Sequence, residues 1–94
     1  MSFRVVLMEV TIHLESCYSL KEKRSRLSGL RDRFGKFKNL AVCEAEHQDE
    51  YERALWAFVA IGEHTVVDKT LSNVEEQLDD VIDGMVVDVR RQDL

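Results

Sequence analysis

An α+β domain with the element order β-α-β-β-α-β is the fold class this sequence predicts. Three observations predict it: strict alternation from Phe3 to Leu14, two stretches of helical period over 20–34 and 66–83 that each run into a glycine, and an uninterrupted apolar run from Ala54 to Ile61. Ninety-four residues hold one domain, residues 1–94, with a single modest core.

The first strand sets Val6, Met8, Val10 and Ile12 on one side and Phe3, Val5, Leu7, Glu9, Thr11 and His13 on the other. The fully apolar side belongs against a core. Ser19-Leu20-Lys21-Glu22 then fits a capping box, in which the Ser19 hydroxyl takes one free amide of a helix start and Glu22 reaches back to another. Leu20, Leu27, Leu30 and Phe34 share one helical face, and Gly35 is placed to end the helix in a left-handed conformation. Gly29, inside that helix, costs stability and signals a close approach by another group.

Leu40 to Glu46 and Ala54 to Gly62 form two strands around the polar connection His47 to Arg53. The second of these is apolar on both faces: Ala54, Trp56, Phe58 and Ala60 on one, Leu55, Ala57, Val59 and Ile61 on the other. Such a strand belongs at the centre of a sheet. A second helix spans about Val66 to Asp83, opened by Thr65-x-x-Asp68 and closed by Gly84, with Leu71, Val74, Leu78, Val81 and Ile82 inward; Met85 to Arg90 is the last strand. The order points to a ferredoxin-like sandwich, a four-stranded antiparallel sheet with two helices on one face. Right-handed crossovers then gather the end of the first strand, the start of the first helix, the second turn and the end of the second helix at one edge. The expected core comprises Val6, Met8, Val10, Ile12, Leu27, Leu30, Phe34, Trp56, Phe58, Leu71, Val74 and Leu78.

The longest apolar run falls far short of the ~20 residues needed to cross a bilayer, and the N-terminal residues read directly as a strand, with no signal-peptide pattern. Cys17 and Cys43 show no C-x-x-C spacing and no zinc pattern with His13, His47 or His64. Reduced thiols and a cytoplasmic location are the expectation. No glycine-rich phosphate loop, activated cysteine or triad is visible, so no catalytic residue, cofactor, metal or small-molecule substrate is expected. The arginine-containing phosphate loop of the acylphosphatases, which share the expected fold, is also missing.

Charge is the most informative feature for partners. Residues 21–38 hold eight basic residues against two acidic ones, whereas the rest of the chain holds five against sixteen. So polarised a surface is an argument about what approaches it. Lys21, Arg26, Arg33 and Lys36 project away from the apolar stripe and are the candidates for contacting phosphate, which makes RNA or a ribosomal particle a possible partner. The competing reading pairs Lys21, Lys23 and Arg24 with Glu75, Glu76, Asp79, Asp80 and Asp83 of the second helix, leaving Arg33 and Lys36 free.

Two further groupings stand out. Ser19, Glu44, Glu46, His47, Gln48, Asp49 and Arg53 collect at one edge, with His13 nearby. They are read as a turn-stabilising network, Asp49 accepting backbone amides and Arg53 pairing with Glu46 or Asp49, in preference to a metal corner. Trp56 and Phe58 are assigned to the core face, so the sheet lacks the aromatic platform of RNA-recognition motifs. The outer face then shows Phe3, Val5, Leu7, Leu55, Val59, Ile61, Leu40 and Val42, an apolar patch that predicts a homodimer or higher homo-oligomer. A protein-interaction or scaffold role through that face is the alternative to RNA binding.

Ser19-Leu20-Lys21-Glu22-Lys23-Arg24 with Leu27, Leu30 and Arg33, and Val42-x-Glu44-x-x-His47-Gln48-Asp49 with Arg53-Ala54, resemble the two signatures of the YlxP-like family of small bacterial proteins. The likeness extends over nearly the whole chain and implies a ferredoxin-like fold. Genes of that family often lie near ribosome-maturation and translation-initiation genes, which implies association with RNA or the ribosome by analogy. Tyr51, Trp56 and the lack of a proline before the first helix depart from the usual pattern.

Overall fold

The computed structural model describes residues 2–94. Its elements are β1 (Phe3–His13), α1 (Leu20–Phe34), β2 (Leu40–Glu46), β3 (Arg53–Glu63), α2 (His64–Val81) and β4 (Met85–Asp93). The four strands form one sheet in the order β2-β3-β1-β4, every neighbouring pair antiparallel, which is the expected α+β arrangement. The strand with two apolar faces, β3, is indeed central, and β2 and β4 are the edges.

Both helices cover one sheet face. Every residue expected in the core is buried there, Trp56 included, and Leu14, Cys17, Ala54, Ala60 and Val67 join them. The Phe34 ring meets Phe58 edge-on at 5.9 Å, fastening the last turn of α1 to the middle of β3. At Gly29 an added Cβ would lie 2.3 Å from the Val81 carbonyl oxygen, so α1 and α2 approach closely where the helix lacks a side chain.

Several local expectations are corrected. The Ser19 hydroxyl accepts from the Glu22 amide at 3.0 Å, but the Glu22 carboxylate accepts from Tyr18 N–H, one residue beyond the cap. Gly35 ends α1 in a right-handed conformation, donating its N–H to the Arg31 carbonyl. At α2 the cap is Glu63 rather than Thr65: β3 passes into the helix without an intervening loop, and the Glu63 carboxylate accepts from Thr65 N–H. β4 reaches Asp93 because it pairs with β1 as far as Val6.

The largest revision concerns β2. Leu40 pairs with Ala60 and Val42 with Phe58, so both lie on the core face instead of the outer one. Alternation would then put Glu44 and Glu46 together. A bulge between them prevents it, since Glu44 stands opposite Trp56 on the helix side and Glu46 opposite Leu55 on the outer side.

Candidate functional site

Helix α1 is amphipathic with two polar flanks, and the fold gives them different neighbours. One flank lies along α2. Arg26 donates from Nε to the Asp83 carbonyl at 2.8 Å and from Nη1 to the Glu15 carbonyl at 3.0 Å, and also sits 3.4 Å from the Asp83 carboxylate. Arg33 donates to the Gln77 side chain. Lys36 lines a groove with Arg33, Asp80 and Val81. Positions 26, 29, 33 and 36 therefore face the acidic helix along its length, and three of the four basic residues expected to meet phosphate lie on this flank. Among the described residues, no ion pair joins Lys21, Lys23 or Arg24 to α2; the pairing at this seam is that of Arg26 with Asp83, just past the end of α2.

The second flank overlooks the edge strand β2. Lys21, Arg24, Ser28 and Arg31 follow one another at spacings of three and four, the repeat of a helical stripe, and all are exposed. Among the described residues, no ion pair involves Lys21, Arg24, Arg31 or Lys38. Arg31 lies over the Trp56 ring, 5.7 Å from its centroid, a cation–π contact at the surface.

Between this flank and β2 opens a cleft of about 270 Å³. Leu27 and Trp56 form its apolar part, Arg24, Ser28, Arg31 and Asp32 its helical wall, and Lys23 and Glu44 its polar end. Trp56 Nε1 is buried without a hydrogen-bond acceptor. That is an exception, because buried polar groups in folded proteins are nearly always paired.

Among the described residues, Lys23 is the one charged residue in the core, with 2% of its surface exposed. Its ammonium donates to the His47 carbonyl at 2.7 Å and the Glu50 carbonyl at 2.8 Å. Glu44 Oε2 lies 2.9 Å away, as an ion pair rather than an aligned hydrogen bond. A buried lysine is tolerable only when so surrounded. Lys23, and not Asp49 or Arg53, thus holds the β2–β3 turn in its shape, with Glu50 N–H bonded to the His47 carbonyl and Glu52 bonded to Leu14 and Ser16. No ion pair of Arg53 or Asp49 occurs among the described residues.

The polar edge cluster is accordingly divided. Ser19 caps α1 and Glu44 serves Lys23 on the helix side, whereas Glu46, His47 and Arg53 line an opening on the outer sheet face with Glu9, Asp88 and Arg90. Gln48 donates to the Glu44 carbonyl. No group of three or more metal-ligating side chains is gathered anywhere among the described residues. Both cysteines are free; Cys17 is buried, and burial raises its thiol pKa, leaving little of the reactive thiolate.

On the outer face Phe3, Val5, Leu7, Val59 and Ile61 share the half near the start of β1, with Phe3 60% and Ile61 48% exposed. Leu55 lies apart from them, opposite Thr11 and Glu46 within the charged half. Among the described residues, no helix is long and apolar enough to cross a membrane.

Sequence reasoning passed over Arg31 and the Trp56 donor, and set Arg24 against α2 although it lies on the β2 side. The signal was present, because the apolar stripe at 20, 27, 30 and 34 leaves one flank at 21, 24, 28 and 31 and another at 26, 29, 33 and 36. Only the packing of α1 against α2 decides which flank is covered.

Fold and site define a small α+β sandwich whose cationic helix flank, without ion pairs at Lys21, Arg24 or Arg31 among the described residues, borders a cleft with Leu27 and Trp56 as its apolar part. Residues 5–91 match the DUF503 family, described as a protein of unknown function, and the chain belongs to that family. No match is found among curated proteins.

Proposed function

We propose that the chain is a non-enzymatic cytoplasmic binding module that associates with RNA or a ribosomal particle through the α1 flank overlooking β2. The observation that carries this reading is the stripe Lys21, Arg24 and Arg31, continued by Lys38 before β2, with no acidic partner among the described residues. Unpaired cations at helical spacing supply affinity for a phosphate chain by releasing its counterions. The resemblance to the YlxP-like family points the same way, by analogy. Arg26, Arg33 and Lys36 are assigned to the α2 interface instead.

Binding of single-stranded RNA and of ribosomal particles, followed across a salt series, tests the reading. Each neutralised phosphate contributes roughly −0.7 to the log-log salt slope, so three or four contacts give about −2 to −3. Arg24→Glu with Arg31→Glu should abolish binding, and Arg33→Glu with Lys36→Glu should leave most of it. Wild-type affinity in the first double variant, with its fold intact, removes the proposal.

The exposed apolar half of the outer sheet face favours a second role, self-association into a homodimer or larger assembly. Leu7→Glu with Ile61→Glu should then lower the sedimentation coefficient without altering the circular dichroism. A wild-type chain that sediments as a monomer at high concentration rules this role out.

A further inference from the structure

We propose that the free edge of β4 pairs antiparallel with the same edge of a second copy of this chain, about a two-fold axis at Val89. The contact is independent of RNA and uses a surface distinct from the apolar outer face. β4 is an edge strand of nine residues, Met85–Asp93. Just past it, Leu94 donates its N–H to the Val5 carbonyl at 2.9 Å, and main-chain groups alternate sides along a strand. Gln92, Arg90 and Asp88 therefore turn theirs to β1, whereas Val89, Arg91 and Asp93 hold theirs toward the open edge. Such a row of donors and acceptors is a template for another strand.

Charge selects the strand and its register. When an edge pairs with itself about a two-fold axis, the strands run antiparallel and opposed side chains share a face, so one residue must meet its own copy. Three such registers overlap most of β4. An axis at Asp88 would oppose two carboxylates and one at Arg90 two guanidinium groups, and like charges directly opposite are destabilising. An axis at Val89 sets Asp88 opposite Arg90 of the second copy, twice over. Val89 is also the midpoint of the strand, and with its main chain turned outward it exchanges two hydrogen bonds with its counterpart.

The charged side chains are free to take part. Arg90 and Asp88 are 78% and 47% exposed, and their contact at 2.8 Å uses only Nε, so both Nη groups of Arg90 remain for the carboxylate across the axis. Charges on an edge ordinarily guard against pairing; here their order admits the same strand reversed. The other edge, β2, lacks this order, since a bulge parts Glu44 from Glu46 and pairing about its midpoint Cys43 would set Val42 against Glu44. In β4 the register shift leaves Val87 without a partner on β1, so the regular ladder centres on residues 88–90 and the dimer is weak and reversible.

Disulfide trapping and sedimentation test the pairing. With Cys43→Ser, the change Val89→Cys puts two thiols across the axis with Cα atoms about 5.5 Å apart, within disulfide reach. Mild oxidation should then give a covalent dimer in far higher yield than the parent chain gives through its exposed Cys43. Arg90→Asp should raise the dimer dissociation constant about tenfold, and adding Asp88→Arg should restore it, because the opposed charges again differ in sign. Val89→Pro removes an N–H that the monomer leaves unused, so it should abolish the dimer and keep the circular dichroism. Leu7→Glu with Ile61→Glu should leave the trapped yield unchanged, which separates this edge from the outer face. Trapping no better than the parent's overturns the proposal, as does a dimer that survives Val89→Pro at wild-type affinity. A charge swap that fails to restore affinity refutes the axis at Val89.

Discussion

Replacing Lys23 by Met keeps the aliphatic stem and deletes the ammonium, so it isolates what one buried charge contributes. Two hydrogen bonds from a charged donor disappear, at 2.7 and 2.8 Å, each worth about 1.5–3 kcal/mol. The carbonyls of His47 and Glu50 lose their partner, and Glu44, whose side chain is 20% exposed, loses its counter-ion. Against this, the variant no longer has to desolvate an ammonium, a saving of several kcal/mol. The balance is a destabilisation of about 3 kcal/mol, the low end of the range for breaking a buried pair. In a domain of this size that lowers Tm by roughly 12–24 °C. Urea unfolding followed by Trp56 emission measures it, and adding Glu44→Gln should restore about 1 kcal/mol by removing the stranded carboxylate. A Lys23→Met variant within about 0.5 kcal/mol of wild type would mean that the β2–β3 turn does not depend on the ammonium.

Gly29→Ala should be among the most destabilising conservative changes, by about 1–3 kcal/mol or more, because the new methyl meets a backbone oxygen that cannot step aside; an unchanged denaturation midpoint would show that the helices separate at little cost. Acid sensitivity should trace in part to the two helix starts. Tyr18 N–H, and secondarily the Cys17 thiol, holds the Glu22 carboxyl below the usual range, and the Thr65 hydroxyl does the same for Glu63. With folded values below an unfolded pKa of about 4.3, their stabilisation is complete above that pH and is lost as pH falls through the folded values. Glu22→Gln with Glu63→Gln should therefore flatten the decline of Tm between about pH 5 and 3; parallel curves would assign the acid sensitivity to other groups. Arg26→Met should loosen the end of α2, seen as faster amide exchange at Ile82 and Asp83, whose N–H groups bond to Leu78 and Arg26 carbonyls; unchanged exchange would leave Arg26 without a structural role.

The elements of the fold were legible because each carries its own period: alternation over 3–14, a helical stripe at 20, 27, 30 and 34, and β3 apolar on both faces. The site was less so, for three physical reasons. Alternation assumes an unbroken strand, and the bulge after Glu44 reverses the phase, which parts Glu44 from Glu46. Lysine is ordinarily assigned to solvent, and nothing local in Lys23 announces that two carbonyls of the β2–β3 turn and the Glu44 carboxylate of β2 will surround it. The fate of Arg26 and Arg33 against that of Arg24 and Arg31 depends on which side of α1 receives α2, a tertiary choice to which Gly29 was the one local clue.

The partners of the two committed cations, Lys23 and Arg26, have a consequence for how the molecule responds to its medium. Four of their hydrogen bonds end on main-chain carbonyls, which bear no net charge and sit within 3.0 Å. Dissolved ions weaken attraction between separated surface charges far more than such short charge–dipole contacts in a sheltered place. The basic helix is therefore two materials in one: a cement indifferent to ionic strength along its inner contacts, and an antenna along its β2 flank whose range shrinks as the Debye length does. A change in salt therefore alters the field of that flank without loosening the contacts that hold it in place.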